Sequence, residues 1–349
     1  MFKQASESAY TEIKARAGFL ERRGWFGIES LDHALDGIFK DDLILIGAPS
    51  GAGKTQLCCN IALANMEHGK KVHYIALEAG EFEIERRLKY PLVLERFLSD
   101  PNKPRLGQKV TFSKWLTGKF LLDLEKYEFE AAEYFEKAYR DLFLFYKTKA
   151  FGLNELLESI AFCSNDTDLI IVDHVHYFDF EDENENRAIK NIAKTVRQLA
   201  IDEGKPIILI AHLRKRDKHN ASLVADLDEF HGSSDLYKIA TKVITMAPGR
   251  PTKDGTYETF FRIPKNRYDG GATRYVIREE FSPQSQSYLK GKYELTWAKI
   301  KMGEDFKSLE GESHPEWSRL YSGPGNTIYE RQPKPSQQQT GAHYVPGSD

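Results

Sequence analysis

The stretch Leu43-Ile44-Leu45-Ile46-Gly47-Ala48-Pro49-Ser50-Gly51-Ala52-Gly53-Lys54-Thr55-Gln56, followed by L-C-C-N-I-A-L-A-N from Leu57, sets the fold class. An apolar strand runs straight into a glycine-rich turn, and a helical segment starts directly after Lys-Thr, which is the context of a phosphate-binding loop. Gly51 and Gly53 let backbone amides turn inward around phosphate oxygens, and the following helix adds its N-terminal dipole. Ala48, Pro49, Ser50, Gly51, Ala52, Gly53, Lys54, Thr55 and Gln56 are therefore expected to hold a nucleotide. Lys54 would neutralise the terminal phosphates, and the Thr55 hydroxyl is placed to ligate magnesium. ATP or another NTP, with Mg2+, is the expected ligand set. The strict motif has Gly where Ala48 stands.

Outward from this loop, short apolar runs recur from Val72, Leu142, Leu169, Pro206 and Lys242. Continuous runs of this kind suit strands covered on both faces. Helix-length segments lie between most of them, at Lys54 to His68, Asn154 to Phe162 and Asn186 to Glu203. The alternation predicts an α/β fold, a mostly parallel sheet with helices on both faces. Beyond Ala247, runs at Thr256 to Ile263 and Thr273 to Phe281 flank the turn signal Tyr268-Asp269-Gly270-Gly271, predicting a C-terminal antiparallel extension. Residues 91–140 break the alternation and read as a helical insertion. The expected divisions are an N-terminal linker helix within 1–22, a core over 23–290, an extension over 291–310 and a solvated, disordered tail over 311–349.

Composition narrows the classes further. Forty-nine basic against 52 acidic residues leave a net charge of −3, so any contact with a polyanion has to be local. No apolar run approaches the roughly 18 residues that span a bilayer, so no membrane partner is expected. Three cysteines, with Cys58 and Cys59 adjacent, fit a reducing, cytoplasmic setting better than a disulfide framework.

Two carboxylates complete the candidate site. Asp173 ends the apolar run D-L-I-I-V-D, where a phosphate-loop protein needs an acid for the magnesium shell. Glu78 ends the run after the loop's helix, in Y-I-A-L-E-A-G, where a carboxylate can orient and deprotonate an attacking water.

With I-I-L-I-A-H-L-R-K-R-D-K (Ile207 to Lys218), these motifs resemble the RecA-type ring helicases, and over roughly residues 23–290 the chain is similar to the DnaB-like helicase family. The resemblance covers F-G-I-E-S-L-D-H-A-L-D-G, leading into the loop, and V-D-H-V-H-Y-F around Asp173. It implies a RecA-like core, a γ-phosphate-sensing role for His212, and a basic finger at Lys265-Asn266-Arg267 that reaches a neighbouring subunit's nucleotide. It also implies base stacking by Phe281 and a pore loop in which Arg214, Lys215, Arg216 and Lys218 grip single-stranded DNA. The expected function is that of a ring-forming, hexameric NTP-dependent helicase acting in replication, with a primase or loader as a further partner. The alternative is a RecA-type ATPase that binds DNA or a protein without unwinding, as a recombination mediator or regulatory ATPase. Two departures stand out. Only some twenty residues precede the core, so priming activity is not expected here, and D-E-F-H-G-S (Asp228 to Ser233) lacks the Arg of the family's corresponding loop.

Overall fold

A computed structural model describes residues 8–14, 22–163, 166–179, 185–213, 221–230, 234–309, 315 and 318. Strands β1 (Arg22–Gly24) and β2 (Ile38–Phe39) form a small antiparallel pair. The other described strands are β3 (Leu43–Ala48), β4 (Val72–Ala76), β5 (Leu142–Tyr146), β6 (Leu169–Asp173), β7 (Ile207–His212), β8 (Lys242–Pro251), β9 (Tyr257–Asn266), β10 (Tyr275–Ser282) and β11 (Ser287–Trp297). Together they make one sheet in the order β11-β10-β9-β8-β3-β7-β6-β4-β5, parallel from β8 to β5 and antiparallel from β8 to β11.

The period-2 geometry of a strand explains why the central runs are apolar throughout. Ile44, Ile46, Ile208, Ile210, Leu169 and Ile171 point into the core beneath the helix Lys54–Glu67. Leu43, Leu45, Ile207, Leu209, Ile170 and Val172 point the other way, into the core built with the helices Leu153–Cys163 and Glu185–Glu203. Burying each such side chain contributes about 1.5–3 kcal/mol relative to exposure. At the edge, β5 departs from the expected double cover. Leu142, Leu144 and Tyr146 pack on the first core, whereas Phe143 and Phe145 are exposed beside Phe162. An edge strand has a neighbour on one side only, and the helix Leu153–Cys163 leaves an apolar groove of about 520 Å³ over it.

The segment leading into the loop is tied to the loop's helix. The Trp25 amide donates to Asn65 Oδ1 at 3.0 Å, Asn65 Nδ2 donates back to the Trp25 carbonyl at 2.7 Å, and the Phe26 and Gly27 amides donate to the Asp32 carboxylate. At the amino ends of β3 and β8, Lys242 and Asp42 form a fully buried ion pair at 2.7 Å, and Thr241 Oγ1 donates to Asp42 Oδ1. Burial holds Lys242 below the usual lysine range despite Asp42.

The helical unit begins earlier than residue 91. The helix Glu83–Ser99 runs through Pro91, and with Phe112–Leu116 and Leu121–Ala138 it closes a small core around Tyr90, Trp115, Leu124 and Tyr127. The sheet also ends later than residue 290, because β11 runs on to Trp297 and pairs with β10 along its length. Residues 8–14 are helical within the expected linker. Nearly all of 311–349 lies outside the described residues. Among those residues, no helix is long and apolar enough to cross a membrane.

Candidate nucleotide site at the carboxyl edge of the sheet

Strands β3, β7, β6 and β4 are adjacent and parallel, so their carboxyl ends share one edge. Register places Ala48 opposite His212 and Ala76 opposite Asp173. The loop after β3, His212, Asp173 and Glu78 therefore converge, as ligand-binding groups do at the strand ends of open α/β sheets. The loop's two glycines at positions 51 and 53 have φ of 74° and 93°, with nothing within 4 Å of an added Cβ. Backbone conformation, not space, demands Gly there. Ala48 has no positive φ, so its side chain is tolerated where the strict motif has Gly.

Lys54 is buried, and its Nζ donates to the Ala48 carbonyl at 3.3 Å, the Pro49 carbonyl at 3.1 Å and His212 Nδ1 at 3.1 Å. Burial lowers its pKa, and Glu78 and Asp173 oppose that shift. Asp173 lies under the loop with Oδ2 accepting from the Tyr74 hydroxyl at 2.8 Å. Burial raises its pKa, while hydrogen bonding from Tyr74 and Thr55 opposes the rise. Asp173 Oδ1 is buried with no hydrogen-bond partner. A hydroxyl and a carboxylate with a spare buried oxygen form a hard-oxygen set suited to magnesium.

Glu78 is half-exposed. Its Oε1 accepts from the Tyr177 hydroxyl at 3.2 Å, and its Oε2 lies 3.1 Å from His174 Nε2. His174 is wholly buried, and desolvation, aided by His212, His176 and Lys54, pushes its pKa down to about 2, so the ring is neutral. The His176 amide donates to His174 Nδ1 at 3.3 Å, which assigns the ring proton to Nε2, facing Glu78. His212 has the same tautomer, because its Nδ1 faces the Lys54 ammonium. Ligand atoms of Glu78, His174 and His212 lie within 4.8 Å of one another, so two imidazoles stand beside the carboxylate of the candidate base.

Lys265 and Arg267 lie at the other end of the sheet. Asn266 pairs with Lys242 at the start of β8, which runs parallel to β3, about 15 Å of strand from the loop. Lys265 Nζ donates to the carbonyls of Tyr237 and Lys238 at 2.8 Å each, ending the helix Ser234–Ile239, while Arg267 is exposed. Phe281 ends β10 near the loop's edge, but its ring packs against Tyr288 with centroids 5.3 Å apart. The β10–β11 turn reaches the loop's helix, where the Gln286 carbonyl accepts from Gln56 Nε2 at 2.9 Å and Asn60 Nδ2 at 3.3 Å. Gln56, Asn60, Arg87, Ser285 and Gln286 border a cavity of about 330 Å³ there, which Phe281 does not line. Arg214, Lys215, Arg216 and Lys218 lie outside the described residues, as does the end of D-E-F-H-G-S. Of the acids near it, Asp226 pairs with Arg262 at 2.6 Å and shares a capping box with Glu229.

Tyr74, His174 and Tyr177 stand outside the site expected from sequence, although the polar residues in V-D-H-V-H-Y, at the end of an apolar strand, are a visible signal. The contacts of Gln286 had no local signal.

The sequence matches the family described as DnaB-like helicase C terminal domain over residues 26–276, a span that includes residues 91–140. Two solved structures share its RecA-like fold. One is described as an ATPase domain, at TM-score 0.62 and 16% identity, covering 82% of this chain and 96% of that one. The other is a DnaB-like replicative helicase described with its interactions with primase, at TM-score 0.61 and 15% identity, covering 83% and 67%. No curated protein sequence matches the chain.

Proposed function

The chain belongs to the DnaB-like helicase C terminal domain family, and on that premise we propose that it is an NTP-dependent helicase that assembles as a ring, a hexamer, and translocates on single-stranded DNA during replication. The observation that carries this is the division of the site between two ends of the sheet. Lys54, Thr55, Asp173, Glu78 and His212 meet at the carboxyl edge, while the exposed Arg267 stands at the amino edge, too far away to serve its own chain's phosphates. A cation placed so is useful to a neighbour's nucleotide, where such fingers are worth about 10³ to 10⁵ in rate. Lys265, on β9 and held by the Tyr237 and Lys238 carbonyls of the helix Ser234–Ile239, positions that segment.

On nucleotide binding, Lys54 exchanges its loop carbonyls and His212 for the terminal phosphates, and the loop amides and helix dipole hold the rest. Thr55 and Asp173 are the residues that would hold magnesium, which supplies positive charge against the phosphates. Glu78 accepts the proton of the attacking water. His212 is released by Lys54 and heads directly into residues 213–220, so the nucleotide's state reaches the four cations proposed to grip DNA. The cavity beside Gln56 and Gln286 is the better candidate than Phe281 for the base. A primase partner is proposed from the helicase described with primase.

The test is strand displacement on a forked duplex, run beside ATP hydrolysis with and without single-stranded DNA. ATP-dependent displacement and DNA-stimulated hydrolysis are expected. Stimulated hydrolysis without displacement would refute the motor and leave a RecA-type ATPase that binds DNA without unwinding it.

A further inference from the structure

Glu78 stands just past the end of β4 with its side chain 42% exposed, so nothing in its own segment fixes the carboxylate. Immobilising a free glutamate side chain costs rotamer entropy. A base that samples several rotamers faces its water only part of the time. Two donors stand beside it, one at each oxygen. Tyr177 Oη donates to Oε1 at 3.2 Å, and His174 Nε2 stands 3.1 Å from Oε2, off the straight donor line, so a small rotation of the carboxylate completes the bond.

Both donors belong to the short turn that follows Asp173. The His176 amide, donating to His174 Nδ1, keeps the proton on the nitrogen that faces Glu78. The Tyr177 amide closes the turn on the His174 carbonyl at 3.1 Å. The Leu77 amide donates to the Asp173 carbonyl at 2.7 Å, so the backbone just before Glu78 is pinned to the strand that carries both donors. A carboxylate offers about four lone-pair positions, and two remain for the water.

We infer that His174 and Tyr177 are positioning residues that hold Glu78 toward the attacking water, an inference that rests on Glu78 acting as the base. The turn after Asp173 thereby locks the magnesium side of the site to the base side.

The experiment is steady-state ATP hydrolysis by the full chain with single-stranded DNA, comparing His174→Ala, His174→Gln, Tyr177→Phe and Glu78→Gln. A misplaced catalytic group costs on the order of 10²-fold. His174→Ala should lower kcat roughly 10- to 100-fold, with the KM for ATP within about twofold. His174→Gln, whose amide nitrogen can stand where Nε2 stands, should recover most of the loss. Tyr177→Phe, at a side chain 41% exposed, folds whatever His174→Ala does, and should lower kcat severalfold at constant KM. Parental turnover in Glu78→Gln would sink the premise that Glu78 is the base. An inactive Glu78→Gln beside parental kcat in Tyr177→Phe, or a loss in His174→Ala that Gln does not restore, overturns the positioning alone.

Discussion

Replacing Glu279 with Gln probes a carboxyl that the antiparallel half of the sheet keeps out of water. Glu279 lies on β10, 2% exposed, and its Oε1 accepts from the Ser30 hydroxyl of the helix Glu29–Leu35. Burial, reinforced by Glu29, pushes its pKa from 4.5 up to about 8 against the opposing Ser30 bonds. Its contribution is therefore whole below pH 4.5. Between pH 4.5 and 8 the unfolded chain has lost this proton and the native chain keeps it, so stability falls as pH rises through that window. At about 1.4 kcal/mol per pH unit, moving from pH 5.5 to 7.5 costs the wild type about 2–3 kcal/mol from this group. Glutamine keeps the shape and an acceptor for Ser30 and has no charge to bury. Urea unfolding of both proteins at several pH values isolates the effect, because other titrating groups cancel in the difference. Glu279→Gln should gain on the wild type by that amount across the interval. Parallel stability curves would show that Glu279 ionises as an ordinary carboxylate, and the reasoning from burial would fail.

Lys54→Ala should weaken ATP binding tenfold to a hundredfold or more, since charge-assisted hydrogen bonds contribute about 1.5–3 kcal/mol each; unchanged affinity in a nucleotide-binding titration would move the phosphates elsewhere. Gly47→Ala would put a Cβ 2.5 Å from the buried Phe230 ring and 2.9 Å from Leu213, so a loss of about 1–3 kcal/mol is expected in thermal unfolding, and an unshifted Tm counts against that packing. Mixing Arg267→Ala with wild type should depress hydrolysis by more than dilution, because the proposed target of the arginine is a neighbour's nucleotide; activity in strict proportion to the wild-type fraction argues against a shared site. Changing Arg214, Lys215, Arg216 and Lys218 together to Ser should flatten the salt dependence of single-strand binding by up to about 2.8 in log–log slope, at about 0.7 per phosphate contact, and an unaltered slope would make them a solvated face.

The parallel core and the glycine-rich turn between strand and helix were legible from local sequence. Runs such as Leu43 to Ala48 and Leu169 to Val172 are apolar at every position, and only a strand covered on both faces can bury them. The loop's glycines, Lys54 and Thr55 stand within a few residues of one another, so the chemistry proposed for them rests on local sequence, as do the positions of Glu78 just past one strand and Asp173 at the end of another. Whatever depends on distant neighbours was settled by the packed fold. It put Arg267 at the opposite edge from the loop, packed Phe281 on Tyr288, and brought Gln286 to Gln56 across 230 positions of chain. It carried the helix Glu83–Ser99 through Pro91, where the apolar faces around Tyr90 and Leu94 outweigh the missing amide. It also set the proton of His174 on Nε2, because that choice depends on the His176 amide and the His174 ring lying in one folded turn. A residue's type states which bonds it can make, and the fold chooses among them by fixing which partner stands within reach.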